Sequence, residues 1–133
     1  MKTGISFRKD ILDDLENYMK SLGIKSRSKI VNEAVGMYLA DRAVLMGKGI
    51  VGGAVLIYYD HEVREIRENL THVQHDFMDV IISNTHAHID KRHCIEAILV
   101  KGRIERIKEL IKALESLHGL KELRLGLFKI GEE

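Results

Sequence analysis

The run Gly47-Lys48-Gly49-Ile50-Val51-Gly52-Gly53 divides the chain. Glycine loses more backbone freedom than any other residue on entering a helix, so a stretch this rich in it interrupts helical pattern and reads as a connector. Residues 1–46 stand before it, 47–53 form the linker, and 54–133 follow. The division is restrictive because about 46 residues make a poor core for a monomer. In this first segment Thr3, Ile5 and Phe7 alternate with Lys2, Gly4 and Ser6, the period of a short strand with one covered face. Asp10 is expected to cap a helix whose Ile11, Leu12, Leu15, Tyr18, Met19 and Leu22 fall at helical spacing, with Gly23 at its exit. A second helix is expected over 27–46. A lone strand of about six residues is unstable, so two copies should pair their strands and dimerise.

Beyond the linker the pattern reads strand, helix, strand, strand, helix, strand. Residues 53–59 resemble a buried strand, and 61–76 a helix with Val63, Ile66, Leu70 and Val73 on one stripe. Strands are expected over 79–89 and 94–101, joined by the polar turn Asp90-Lys91-Arg92-His93. A helix over 103–117 would turn Ile104, Ile107, Leu110, Ile111 and Leu114 inward and end at Gly119. A last strand alternates Leu123, Leu125 and Leu127 with Arg124, Gly126 and Phe128. This βαββαβ order is the ferredoxin-like, or ACT-like, arrangement, so the chain is expected to be α+β.

The segment Thr85-His86-Ala87-His88-Ile89-Asp90-Lys91-Arg92-His93-Cys94-Ile95-Glu96 carries the chemistry. Two residues apart on a strand, His86 and His88 project from one face and can share an ion. If the turn sets Cys94 opposite His88, the same register sets Glu96 opposite His86. One face then offers two imidazoles and a thiolate, with a carboxylate able to orient an imidazole N–H. His75, beside Gln74, is the candidate fourth ligand. From residue 78 to residue 86 along one strand is about 26 Å at roughly 3.3 Å per residue, so a chain's own His75 should lie far from its own pair. The fourth ligand is therefore expected from another subunit, across a two-fold interface that pairs these strands. A planar set would favour Ni²⁺ or Cu²⁺ and a tetrahedral one Zn²⁺. His61, His72, His93 and His118 fit no such spacing and read as surface or packing histidines.

A single cysteine excludes an intrachain disulfide. No run of about 18 apolar residues occurs and the N-terminus lacks the core of a signal peptide, so a cytoplasmic protein without a membrane partner is expected. The formal net charge of +1 means that any contact with DNA must be local.

With these residues in place the chain resembles a known family, the nickel-responsive regulators called NikR, across nearly its whole length. The likeness is carried by the N-terminal strand, Lys25-Ser26-Arg27-Ser28, Gln74-His75-Asp76, His86-Ala87-His88, and Cys94-Ile95-Glu96 followed by Val100-Lys101-Gly102. It implies Ni²⁺, one per subunit, bound in a square plane by His86, His88 and Cys94 of one subunit and His75 of another. It implies a homotetramer, a dimer of dimers, with ribbon-helix-helix modules that bind a double-stranded operator and repress nickel-uptake genes. On that likeness Lys2, Gly4 and Ser6 face the major groove, and Arg27 and Ser28 meet phosphate at a helix start. Gly4 departs from the polar residue usual in the family. Lys29 stands where some members carry a carboxylate for a second cation, although Glu33 remains.

The competing readings are a sensor of the same build tuned to cobalt, copper or zinc, and an ACT-type regulator that responds to a small molecule. An enzyme is not expected, since a filled four-ligand site leaves no position at which a metal can activate water.

Overall fold

The computed structural model describes residues 1–132, which fall into two compact units, 1–38 and 39–132. The first unit holds α1 (Lys9–Leu22) and most of α2 (Arg27–Ala43). Helix α1 ends at Gly23 in the left-handed region (φ 67°), which glycine enters without steric cost. Its start differs from expectation: Arg8 is the cap residue, without a capping side chain, and Asp10 lies in the first turn, where its carboxylate meets the positive end of the helix dipole and the Arg8 guanidinium at 3.1 Å. Helix α2 begins after Ser26, whose Oγ accepts the Lys29 N–H at 3.2 Å, and stops at Ala43 rather than at residue 46. Residues 1–8 form no strand in the single chain, which offers them no ladder partner. Met19 is the one buried side chain of this unit, while Ile5, Ile11, Tyr18, Leu22, Val35 and Met37 are exposed.

The second unit contains β1 (Ile50–Asp60), α3 (Ile66–Asp76), β2 (Ile81–His88), β3 (His93–Arg103), α4 (Ile104–Glu115) and β4 (Leu120–Gly131). Four antiparallel strands lie in the order β2-β3-β1-β4, the ferredoxin-like topology expected from the order of elements. On one face Val55, Ile57 and Tyr59 of β1 and Cys94, Glu96, Ile98 and Val100 of β3 are buried. Helix α4 adds the whole predicted stripe, Ile104, Ile107, Leu110, Ile111 and Leu114, and α3 adds Ile66 and Leu70. The other face leaves Leu56, Ile95 and Leu99 partly open.

The strands β2 and β3 and helix α4 shift by one or two residues at their ends from the sequence expectation, and two boundaries differ by more. The segment Ile50–Gly53, assigned to the linker, is the start of central strand β1, with Val51 fully buried. Its glycines serve close approach rather than looseness: Gly53 has φ 146°, and a Cβ there would collide with the Gly126 carbonyl of β4. Helix α3 starts at Ile66 rather than residue 61, because Asp60 Oδ1 accepts the Glu62 N–H at 3.0 Å and turns the chain first.

Candidate metal centre

Strand alternation and register assemble the site. The β2–β3 ladder pairs His88 with Cys94 and His86 with Glu96, the register read from the sequence. Asn84, His86 and His88 thus share the helix-covered face with Cys94 and Glu96. A cavity of about 350 Å³ opens there, lined by Tyr59, Gln74, His86, His88, Cys94 and Glu96 among others. Cys94 is 2% exposed, yet its Sγ lies 3.2 Å from His88 Nδ1. The His86 ring adjoins that of His88, with centroids 5.7 Å apart. One thiolate and two imidazoles around one cavity fit a late first-row divalent ion.

His75 sits exposed in the last turn of α3, on a neighbouring concavity with Met78, Ile81 and Asn84. It therefore does not line its own chain's cavity. Glu96 is buried, but its partners differ from expectation: Asn84 Nδ2 donates to Oε2 at 2.7 Å, Gln74 Nε2 donates to the same oxygen, and the Tyr59 hydroxyl lies 3.5 Å from Oε1. The carboxylate thus ties α3 to the sheet, and no imidazole is among the partners described. Burial pushes the Tyr59 phenol above its ordinary value, and the charges of Glu96 and Cys94 push it further, so it stays protonated and donates.

Three residues of this neighbourhood escaped the sequence reading. Asn84 was accessible to it, since it continues the alternation of His86 and His88. Tyr59 and His61 were not, because they arrive at the end of β1. His61 was set aside as a surface histidine, yet its donor atom lies within 4.8 Å of those of His88 and Cys94, and its ring centroid is 5.2 Å from that of His88. His93 behaves as a packing residue, stacked on Tyr58 at 5.4 Å and held by Asp90 at 3.0 Å.

The hairpin that presents Cys94 is anchored by Arg92, whose guanidinium contacts the buried Asp60 at 2.6 Å. Hydrogen bonding from Arg92 holds the Asp60 carboxyl below the usual carboxylate range, opposed by desolvation and helped by the Glu62 N–H. A depressed folded value contributes stability in full above the unfolded value near 3.9 and loses it as pH falls through the folded one. Asp60→Asn should therefore melt below the wild type at neutral pH, and the gap should narrow and close in acid. Thermal unfolding followed by circular dichroism across pH checks this, and a gap constant with pH contradicts it.

The DNA-facing candidates lie in the first unit. Lys2, Gly4 and Ser6 are exposed within the strandless residues 1–8. Arg27 and Ser28 open α2, where Arg27 pairs with Glu16 at 3.0 Å and the Ser28 carbonyl accepts Asn32 Nδ2 at 2.8 Å. Lys29 and Glu33 are exposed.

A ferredoxin-like domain with imidazoles and a buried thiol converging on one cavity defines the class of this protein, a small α+β domain equipped with soft metal donors. Residues 52–128 match the family described as the NikR C-terminal nickel-binding domain. The chain belongs to the NikR family of nickel-responsive regulators. Two relatives, each named "Putative nickel-responsive regulator", are those of Dictyoglomus turgidum, 32% identical over 98% of this chain and 96% of that one, and Chlorobaculum tepidum, 37% identical over 93% and 92%. They are named as regulators, not as enzymes. Among solved structures, an uncharacterized protein from Thermotoga maritima shares the fold, with a TM-score of 0.50 at 12% identity over 65% of this chain and 100% of that chain. Among the described residues no helix is long and apolar enough to cross a membrane.

Proposed function

We propose that the chain is a nickel-responsive, DNA-binding transcriptional regulator of the cytoplasm that represses nickel-uptake genes when Ni²⁺ is bound. The observation that carries this reading is the shared cavity face of His86, His88 and Cys94, from which the chain's own His75 is missing. These three residues and His75 of a neighbouring subunit would hold the ion, one per chain, with Gln74 and Glu96, hydrogen-bonded to each other, beside them. Bound nickel would link the two subunits.

What the single chain leaves uncovered supports assembly into a homotetramer. Strand β2 is an edge strand, open to antiparallel pairing with a second copy. The sheet face carrying Leu56, Ile95 and Leu99 offers further apolar surface. The first unit has almost no core of its own, which supports a ribbon-helix-helix dimer in which residues 1–8 of two chains pair. On that ribbon Lys2, Gly4 and Ser6 face the major groove of the operator, with Arg27 and Ser28 at the phosphates. Lys29 in place of a carboxylate argues against a second cation site there, and the residue nearest in kind is Glu33.

Subunit complementation tests the shared site. His75→Ala and Cys94→Ala chains should each fail to form the nickel chromophore. Mixed and reassembled in equal amounts, they should regain it in about a quarter of the sites, because a random two-fold pairing places an intact triad opposite an intact His75 at that frequency. No recovery, with tetramers formed, would sink the intersubunit ligand. Nickel and operator must also tighten each other's binding by the same factor, so equal nickel affinity with and without operator would remove the regulatory coupling.

A further inference from the structure

We propose that Arg106 is a positioning residue for the intersubunit ligand: from α4 it fixes the corner that follows α3, and so sets the backbone from which His75 reaches the neighbouring subunit's site. The inference rests on the reading of His75 as that ligand.

His75 is exposed in the last turn of α3, so the aim of its imidazole depends on the backbone that carries it. The last carbonyls of a helix have no partner within it, and a cation at that end meets the negative pole of the helix dipole. Arg106 answers both needs. Its Nη2 donates at 2.6 Å to the carbonyl of Asp76, the final residue of α3. The same guanidinium spans the Asp79 carboxylate with two bonds, from Nε to Oδ2 at 2.9 Å and from Nη2 to Oδ1 at 3.1 Å. Between these residues Phe77 is buried, and Arg106 Cζ stands 4.0 Å from its ring centroid, a cation–π contact. Nη1 donates to Glu109 Oε2 at 2.8 Å, one turn along α4, which steadies the fork itself. One side chain thus grips a carbonyl, a ring and a carboxylate within the four residues that follow His75.

The residue before His75 is held by a different element, since Gln74 Nε2 donates to the buried Glu96 of β3. With both flanks tied, the peptide carrying the imidazole is ordered before any ion arrives. A ligand offered from an ordered backbone escapes the ordering cost that a loose corner imposes at the moment of binding. Lysine is no substitute here, because an ammonium is a point charge without the planar fork that meets a carboxylate in two bonds while lying on a ring.

The role has a direction. Arg106 does not line the cavity of His86, His88 and Cys94 in its own chain. It acts on its own chain's His75, which serves a site whose other three ligands belong to the neighbour. Loss of Arg106 should therefore harm the site to which its chain donates, and spare the site that its own triad forms.

The test uses full-length chains in the mixed assembly of His75→Ala with Cys94→Ala, where each intact site joins the triad of the first chain to His75 of the second. Arg106→Met removes the guanidinium and keeps an aliphatic stem, while Arg106→Lys keeps a charge. On the Cys94→Ala chain either change should weaken nickel by about tenfold or more, the range for losing a group that supports a ligand, and on the His75→Ala chain by no more than about threefold. The midpoint of the thiolate charge-transfer band reads the affinity in each mixture. In metal-free protein carrying Arg106→Met alone, amide hydrogen exchange should quicken over residues 75–80 and stay unchanged over the β2–β3 hairpin. Equal weakening from both placements would overturn the proposal, since Arg106 would then only stabilise the domain. Nickel affinity indifferent to Arg106 in either placement would overturn it too. Absence of the chromophore from the parent mixture, before Arg106 is touched, would overturn the intersubunit reading and the proposal with it.

Discussion

Replacing Cys94 by alanine is expected to abolish the thiolate-to-nickel charge-transfer absorption and to weaken nickel binding by more than about a hundredfold. The size follows from the donor set. Loss of an outer-shell partner alone costs about 10- to 100-fold in affinity, and Cys94 supplies the only sulfur in the chain that can act as a thiolate ligand. The substitution leaves a methyl group in a position that is 2% exposed and packed within the core, so a small cavity accompanies the lost ligand. Circular dichroism of the metal-free variant separates the two effects. In the wild type the titration should saturate near one nickel per chain, with the ligand-field pattern of a planar ion. Weak octahedral features that persist unchanged in Cys94→Ala would overturn the assignment of this cavity to nickel.

The second large effect concerns the scaffold. Gly53→Ala should destabilise the ferredoxin-like domain by about 3 kcal/mol or more, because a non-glycine residue held at a disfavoured positive φ costs about 1–3 kcal/mol before any collision is counted. The collision is with backbone: the new Cβ would meet the Gly126 carbonyl oxygen and the Leu127 Cα of β4, which cannot swing aside as a side chain can. The β1–β4 ladder must part at that point or shift. For a domain of this size the melting temperature should fall by roughly 12 °C or more, at about 4–8 °C per kcal/mol. Gly47→Ala is the matched control, since a Cβ there meets nothing within 4 Å. Equal melting temperatures for the two variants would contradict this account of why β1 begins with glycine.

The glycines also show where sequence pattern misleads. Gly47 and Gly53 look alike in a composition window, yet one precedes the sheet and the other lies against β4 within it. A local rule cannot separate a glycine needed for freedom from one needed for proximity. The partners of Glu96 make the same point. Its register opposite His86 was legible, but Gln74, Asn84 and Tyr59 claim its oxygens, and their convergence depends on three elements meeting.

What the sequence determined by itself was local or nearly so. Helical stripes and strand alternation identified every helix and strand of the second unit, and alternation tied the two pairings of the hairpin together, so that a register setting Cys94 opposite His88 also sets Glu96 opposite His86. Tertiary structure alone decided which distant residues complete the neighbourhood. His61 and Tyr59 reach Cys94 only because β1 lies beside β3 in the order β2-β3-β1-β4. That adjacency joins residues more than thirty positions apart, and neither the two-residue period of a strand nor the 3.6-residue period of a helix carries information over such a distance.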